Sequence, residues 1–127
     1  MGDGDYKAAF EKVLMPISRR FNPSLVIVSA GFDAARGDHL GDCDVTPAGY
    51  AYMTNQLMSL GAPVVLALEG GYNIPSVKYS FGACVASLLG IVKESGSGFN
   101  RPNRDAIACI EATKNTQKPF WPDVSEL

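Results

Sequence analysis

Two short stretches hold the side chains best suited to chemistry: Ser29-Ala30-Gly31-Phe32-Asp33 and Glu69-Gly70-Gly71-Tyr72-Asn73. Each follows an apolar run. The Asp33 carboxylate suits a hard or borderline cation, and the Tyr72 phenol can donate a hydrogen bond to an oxyanion forming beside such a cation. Adjacent glycines let the backbone approach a ligand closely. The same residue types have plainer uses, an aspartate after a strand as a turn cap and a tyrosine as a rim aromatic. The sole histidine, His39, could join Asp33 and Cys43 in a makeshift metal site, but a solvated loop histidine is the plainer reading. Asp38, Asp42 and Asp44 read as turn and cap residues, because the spaced ligands and closing glutamate of a calcium loop are missing. Glu69-Gly70-Gly71 lacks the spacing of a dinucleotide fingerprint and makes nucleotide binding a weak reading.

The flanking sequence dictates how these loops are held. Leu25 to Val28 is a continuous apolar run, rich in β-branched residues, of the kind found in a parallel strand buried on both faces, and Pro63 to Leu68 is a second. Between them Thr46-Pro47 starts a helix with an N-cap and a first-turn proline. Tyr50, Met53, Leu57 and Leu60 lie on one face, and Gly61 stops it. Residues 25 to 68 thus read as a strand, helix, strand crossover, which makes the two strands parallel. Both loops then leave the same carboxyl edge of the sheet, where open α/β folds bind ligands, and Asp33 and Tyr72 should face one site.

The rest of the chain frames this unit. A helix is predicted from Asp3 to about Arg20, with Tyr6, Phe10, Val13, Leu14 and Ile17 inward and Pro16 as a kink. Asp3 and Asp5 suit its N-terminus. Another runs from about Ile74 to Leu89, with Val77, Phe81, Val85 and Leu88 inward and Gly90 as its end. Ser95-Gly96-Ser97-Gly98 reads as a flexible linker, followed by a short helix from Asp105 to about Thr116 with Ala106, Ile107, Ile110 and Thr113 on one face. Residues 31 to 45, with three glycines and four aspartates, form a long loop of the functional or mobile kind.

Composition narrows the function classes. A length of 127 residues allows at most one domain, and 46% apolar residues call for a core. With 11 basic against 13 acidic residues and no basic stripe, direct nucleic acid binding is disfavoured. Three widely spaced cysteines fit neither a disulfide framework nor a zinc knuckle and point to a reducing compartment. No run is long enough to span a membrane, so a nuclear or cytoplasmic setting without membrane attachment is expected.

Ser29 to Asp38, then Leu40-Gly41, then Leu68 to Asn73, closely resemble the C-terminal part of the catalytic domain of zinc-dependent histone deacetylases, class II and most like class IIb. The likeness runs from about Gly2 to Gly90, so residues 1–90 are expected to be an incomplete part of that domain and 91–127 a linker, short helix and tail. The Phe120-Trp121 ending resembles a divergent form of the family's last helix. The resemblance implies an α/β fold, part of an arginase/deacetylase-like three-layer sandwich with a mostly parallel sheet. It also implies Zn2+ as cofactor, with Asp33 as one metal ligand, and Tyr72 as the catalytic donor to the acetyl oxygen. Gly70 and Gly71 would lie at the bottom of the substrate channel and Leu40 on its rim. The implied substrate is an acetyl-lysine protein, histone or non-histone, hydrolysed by a zinc-activated water.

The family's other two zinc ligands come from an Asp-x-His motif, which this chain lacks, and the general base is also missing. One carboxylate cannot hold a catalytic zinc, which needs three protein ligands. The chain therefore reads as a piece of a domain, inactive alone, whose partner is the N-terminal part of the catalytic domain. Two further readings stand beside this one: an acetylpolyamine or small-amide hydrolase of the same superfamily, and a non-catalytic truncated isoform that binds partners through exposed apolar helix faces.

Overall fold

The computed structural model describes residues 1–124 and residue 127. The chain opens with one long helical rod in three parts: α1 (Asp3–Ala9), a π turn (Phe10–Leu14) and α2 (Met15–Phe21). The Met15 N–H reaches back to the Phe10 carbonyl, so the turn widens immediately before Pro16, whose ring and missing donor cannot join an ordinary ladder. Asn22, at φ 53°, ends the rod in the left-handed conformation. The inward face differs from the periodicity reading. Ala8, Met15 and Pro16 are buried while Leu14 is exposed, because the π turn rotates every later side chain relative to the residues before it.

Strand β1 (Val26–Ala30) pairs in parallel with β2 (Val64–Leu68), Val26 opposite Val64 and Ala30 opposite Leu68. The crossover carries α3 (Pro47–Met58), capped as the sequence requires, with the Thr46 Oγ1 accepting from the Gly49 N–H at 3.2 Å. Asp3 secures that cap from the first helix, its carboxylate accepting from the Thr46 N–H at 2.8 Å and the Thr46 hydroxyl at 2.7 Å. Gly49 must be glycine, because a Cβ there would collide with the Asp3 carboxylate.

Helix α4 (Ile74–Leu88) follows β2 and lies against α3. Its buried residues are Ser80, Cys84 and Ser87, not the expected Phe81, which is exposed. Small side chains at this spacing let the two helices approach closely. The Ser87 hydroxyl donates to the Ala51 carbonyl at 3.4 Å, and the Cys84 thiol to the Tyr50 carbonyl at 3.9 Å. Burial raises the pKa of the Cys84 thiol, which keeps it neutral.

The core gathers Ala30, Phe32, Ala35, Val45, Tyr50 and Cys84, with Val28 and Leu66 reaching it from one face of the sheet. The opposite sheet face is bare, with Ile27 68% and Val65 49% exposed. Burial on both faces, the expectation for these strands, is therefore not met within this chain. Among the described residues the two strands carry helices on one side only.

Residues beyond Gly90 fold back. Gly96 is buried, with Lys7 and the Tyr52 ring where its Cβ would point, so Ser95 to Gly98 lies against α1 and α3 rather than swinging free. Helix α5 (Arg104–Gln117) is N-capped by Asn103 and buries Ala106 and Ile110, while Ile107 and Thr113 face outward. The buried Asp5 carboxylate ties the two ends of the chain, accepting from the Gly2 N–H at 2.8 Å and the Asn103 N–H at 2.7 Å. Among the described residues no helix is long and apolar enough to cross a membrane.

Candidate functional site

Parallel pairing delivers both loops to the carboxyl edge of the sheet, and backbone hydrogen bonds then join them. The Glu69 N–H donates to the Ala30 carbonyl at 3.1 Å and the Phe32 N–H to the Gly70 carbonyl at 2.8 Å. Phe32 is fully buried, stacked at a tilt on Tyr50 with ring centroids 4.8 Å apart, and anchors the first loop. The chain then turns, the Ala35 N–H donating to the Phe32 carbonyl at 3.2 Å, and Asp33 within that turn is exposed.

Gly70 sits between the two candidate groups. A Cβ on Gly70 would lie 3.7 Å from Asp33 Oδ2 and 3.7 Å from the Tyr72 hydroxyl. The carboxylate and the phenol thus flank one glycine, with space above it only because that side chain is hydrogen. Gly71 has a different duty. Its φ of +135° and the Val77 methyl 2.6 Å from a would-be Cβ demand glycine for the backbone itself. Tyr72 is 63% exposed and Leu40 71% exposed, so both stand at the open side of the loops.

Asp38 is the residue whose full part the sequence did not disclose. It is buried and divides its carboxylate between the loops. One oxygen accepts from the Leu40 N–H at 2.8 Å and the Gly41 N–H at 3.2 Å, the turn-capping use expected of it. The other accepts from the Tyr72 N–H at 2.6 Å and the Asn73 N–H at 3.2 Å, across the gap. These bonds, that from Tyr72 foremost, hold its carboxyl below the usual aspartate range, so it is ionised wherever the protein is folded near neutrality. The signal available in the sequence was an aspartate between Gly37 and Gly41, which marks a turn but not its distant partner.

A second seam reinforces the first. The Asn73 side-chain amide donates to the Gly37 carbonyl at 2.7 Å, and the Ser76 hydroxyl to the Arg36 carbonyl at 2.7 Å. The Arg36 guanidinium in turn pairs with Asp44, donating at 2.9 Å, and lowers that carboxyl's pKa. Residues 31 to 45 are accordingly a pinned structure. Gly41 permits it, because a Cβ there would strike the Asp33 carbonyl.

An apolar hollow of about 300 Å³ borders Asp33, lined by Tyr6, Phe10, Tyr50, Met53 and Leu57 among others. Burial raises the pKa of the Tyr6 and Tyr50 phenols, so this wall is uncharged. The Tyr50 hydroxyl finds no hydrogen-bond partner among the described residues. His39 is exposed and Cys43 half-buried. Among the described residues no three His, Cys, Asp or Glu side chains gather as a metal-holding group.

Comparison with known proteins gives this geometry a context. The histone deacetylase domain pattern matches residues 1–88. Histone deacetylase clr3 of Schizosaccharomyces pombe is 56% identical over 123 residues, covering 95% of this chain and 18% of that protein. Histone deacetylase 15 of Arabidopsis thaliana is 45% identical over 127 residues, covering 98% of this chain and 23% of that protein. The likeness therefore continues past Gly90. Among solved structures, that of the histone deacetylase Clr3 superposes with a TM-score of 0.90 at 44% identity, over 98% of this chain and 21% of that one. The crystal structure of the HDA15 HD domain gives 0.85 at 46% identity, over 98% of this chain and 33% of the other. The α/β architecture read from the sequence is thus part of the deacetylase fold, and the chain spans less than a quarter of the length of either of these two curated relatives. With the domain pattern covering most of its residues and close relatives along nearly all of them, the chain belongs to the histone deacetylase family.

Proposed function

We propose that this chain supplies the C-terminal part of a zinc-dependent protein lysine deacetylase, with one metal ligand, Asp33, and the oxyanion donor, Tyr72. The observation that supports the reading is the approach of both the Asp33 carboxylate and the Tyr72 hydroxyl to Gly70, each 3.7 Å from where a Cβ would stand. In chemical type a carboxylate suits a cation and a phenol suits the oxygen of a polarised carbonyl beside it. When bound, zinc supplies Lewis-acid polarisation of the amide carbonyl and a water acidified for attack.

The chain's own residues have separate parts. Asp33 would hold the ion through one carboxylate, and the remaining protein donors and the general base would come from outside these residues, since a catalytic zinc takes three protein ligands. Tyr72 would donate its hydroxyl proton in a hydrogen bond to the oxygen that gains charge as the carbonyl becomes tetrahedral. Gly70 keeps the space for that oxygen, Gly71 allows the turn that presents Tyr72, and Leu40 contributes apolar surface at the rim for the methylene stem of an acetyl-lysine. The substrate class is thus an acetyl-lysine protein.

The test is made in the complete domain that contains this chain. Tyr72→Phe should lower kcat by about 100- to 1,000-fold, the usual cost of an oxyanion donor, with bound zinc unchanged. Asp33→Asn should instead lose zinc, read by metal analysis. Full turnover by the Tyr72 variant would refute the oxyanion role.

A further inference from the structure

We infer that Asp38 is the positioning residue for Tyr72: its carboxylate clamps the two loops so that the phenol stands over Gly70 beside Asp33. The inference rests on the deacetylase reading above and adds to it a residue that touches neither metal nor substrate.

The geometry is specific. A carboxylate has two oxygens and accepts about four hydrogen bonds, and Asp38 uses all of that capacity on backbone N–H groups, two from its own loop and two from the other. The bond from the Tyr72 N–H, at 2.6 Å, is the shortest of the four, as charge assistance would make it. Backbone N–H groups of Tyr72 and Asn73 follow a glycine at φ +135°, and the loop's own side-chain tie, from the Asn73 amide to the Gly37 carbonyl, acts one residue beyond the tyrosine. Tyr72 itself is 63% exposed, so packing does little to fix its ring and the orientation of its backbone must do so. A buried, ionised anion aimed at that backbone is the group that sets it.

A plain turn cap would satisfy Leu40 and Gly41 and stop there. The second oxygen distinguishes the two roles, because its partners lie 34 and 35 residues away in the chain. Asp38→Asn separates them as well, since an amide keeps one accepting oxygen and places an NH2 against the other pair of donors.

The experiment is a double-mutant cycle in the complete domain, assayed on an acetyl-lysine peptide. Asp38→Asn should lower kcat about 100-fold, the penalty of displacing a reacting group by about 1 Å, with KM and bound zinc little changed. In the Tyr72→Phe background the same substitution should cost less than about twofold, because a residue that acts through the hydroxyl has nothing left to position. Asp38→Glu, which restores both accepting oxygens on a longer arm, should recover part of the loss. Equal losses in both backgrounds, or loss of zinc from Asp38→Asn, would show a structural role and overturn the inference. If the Asn variant does not fold, amide hydrogen exchange on the unmodified domain decides. The Tyr72 and Asn73 amides should be strongly protected despite the exposed ring, and fast exchange there overturns the clamp. An unmodified domain that turns over no acetyl-lysine peptide overturns the deacetylase reading itself, whereas an active domain indifferent to Asp38→Asn overturns only this inference.

Discussion

Asp33 and Tyr72 come together over a residue that has no side chain, and the two neighbouring glycines there differ in what they require. At Gly70 a methyl group would meet Asp33 and Tyr72 at 3.7 Å, ordinary contact, and would fill the space between them. At Gly71 it would meet Val77 at 2.6 Å from a backbone at φ +135°. Gly70→Ala in the complete domain should therefore leave the melting temperature nearly unchanged while reducing kcat/KM by about 100-fold, through loss of the reacting geometry. Gly71→Ala should destabilise by about 1–3 kcal/mol, from strain and overpacking. Thermal melts and steady-state kinetics on the two variants check the pair, and a reversed order of effects would contradict this account. Legibility in the sequence follows the same division. Residue types marked Asp33 and Tyr72 as chemically able, but Asp38 looked like one turn aspartate among several, since a partner 34 residues away leaves no local signature.

Elements positioned these residues through contacts that periodicity only partly revealed. The crossover was readable because strands, N-cap and stop signals are local: Thr46, Pro47 and Gly61 behave as their chemistry requires. The faces of the opening helical rod and of α4 were less so. A π turn before Pro16 shifted the first, and in α4 the seam with α3 is made by Ser80, Cys84 and Ser87, small residues chosen for close approach, which a search for large apolar side chains passes over. Ser87 is completely buried with its hydroxyl on the Ala51 carbonyl. Replacing it with leucine would force the helices apart, and Ser87→Leu should cost about 1–3 kcal/mol in chemical denaturation, as overpacking does. An unchanged midpoint would mean that α3 and α4 have room between them at Ser87. Because α4 begins directly after Tyr72 and Asn73, that variant should also disturb the second loop.

At the scale of the whole molecule, the dominant feature is a two-stranded sheet covered on one side. Leu25, Ile27 and Val65 present apolar surface from the other, in a chain that spans 18% of one close relative and 23% of another. Two strands with a bare apolar face are poorly stable and adhesive. The chain produced alone should therefore self-associate and bind an apolar dye, whereas the same residues within the complete domain should do neither. Size exclusion with light scattering makes the comparison, and a clean monomer of 13.5 kDa without dye binding would count against it. What the sequence alone determined was local or nearly so: the strand, helix, strand crossover, its caps, and hence the common sheet edge for Asp33 and Tyr72. The resemblance of its loops to the deacetylases was equally plain from residue order. What only the tertiary structure decided was long-range: which face of each helix is buried, how Asp3 secures the cap of α3 and Asp5 ties the ends together, and how Asp38 joins the two loops. Backbone propensity and hydrophobic period are written into neighbouring residues, whereas a hydrogen bond between distant loops exists only once packing has brought donor and acceptor within 3 Å or so of each other.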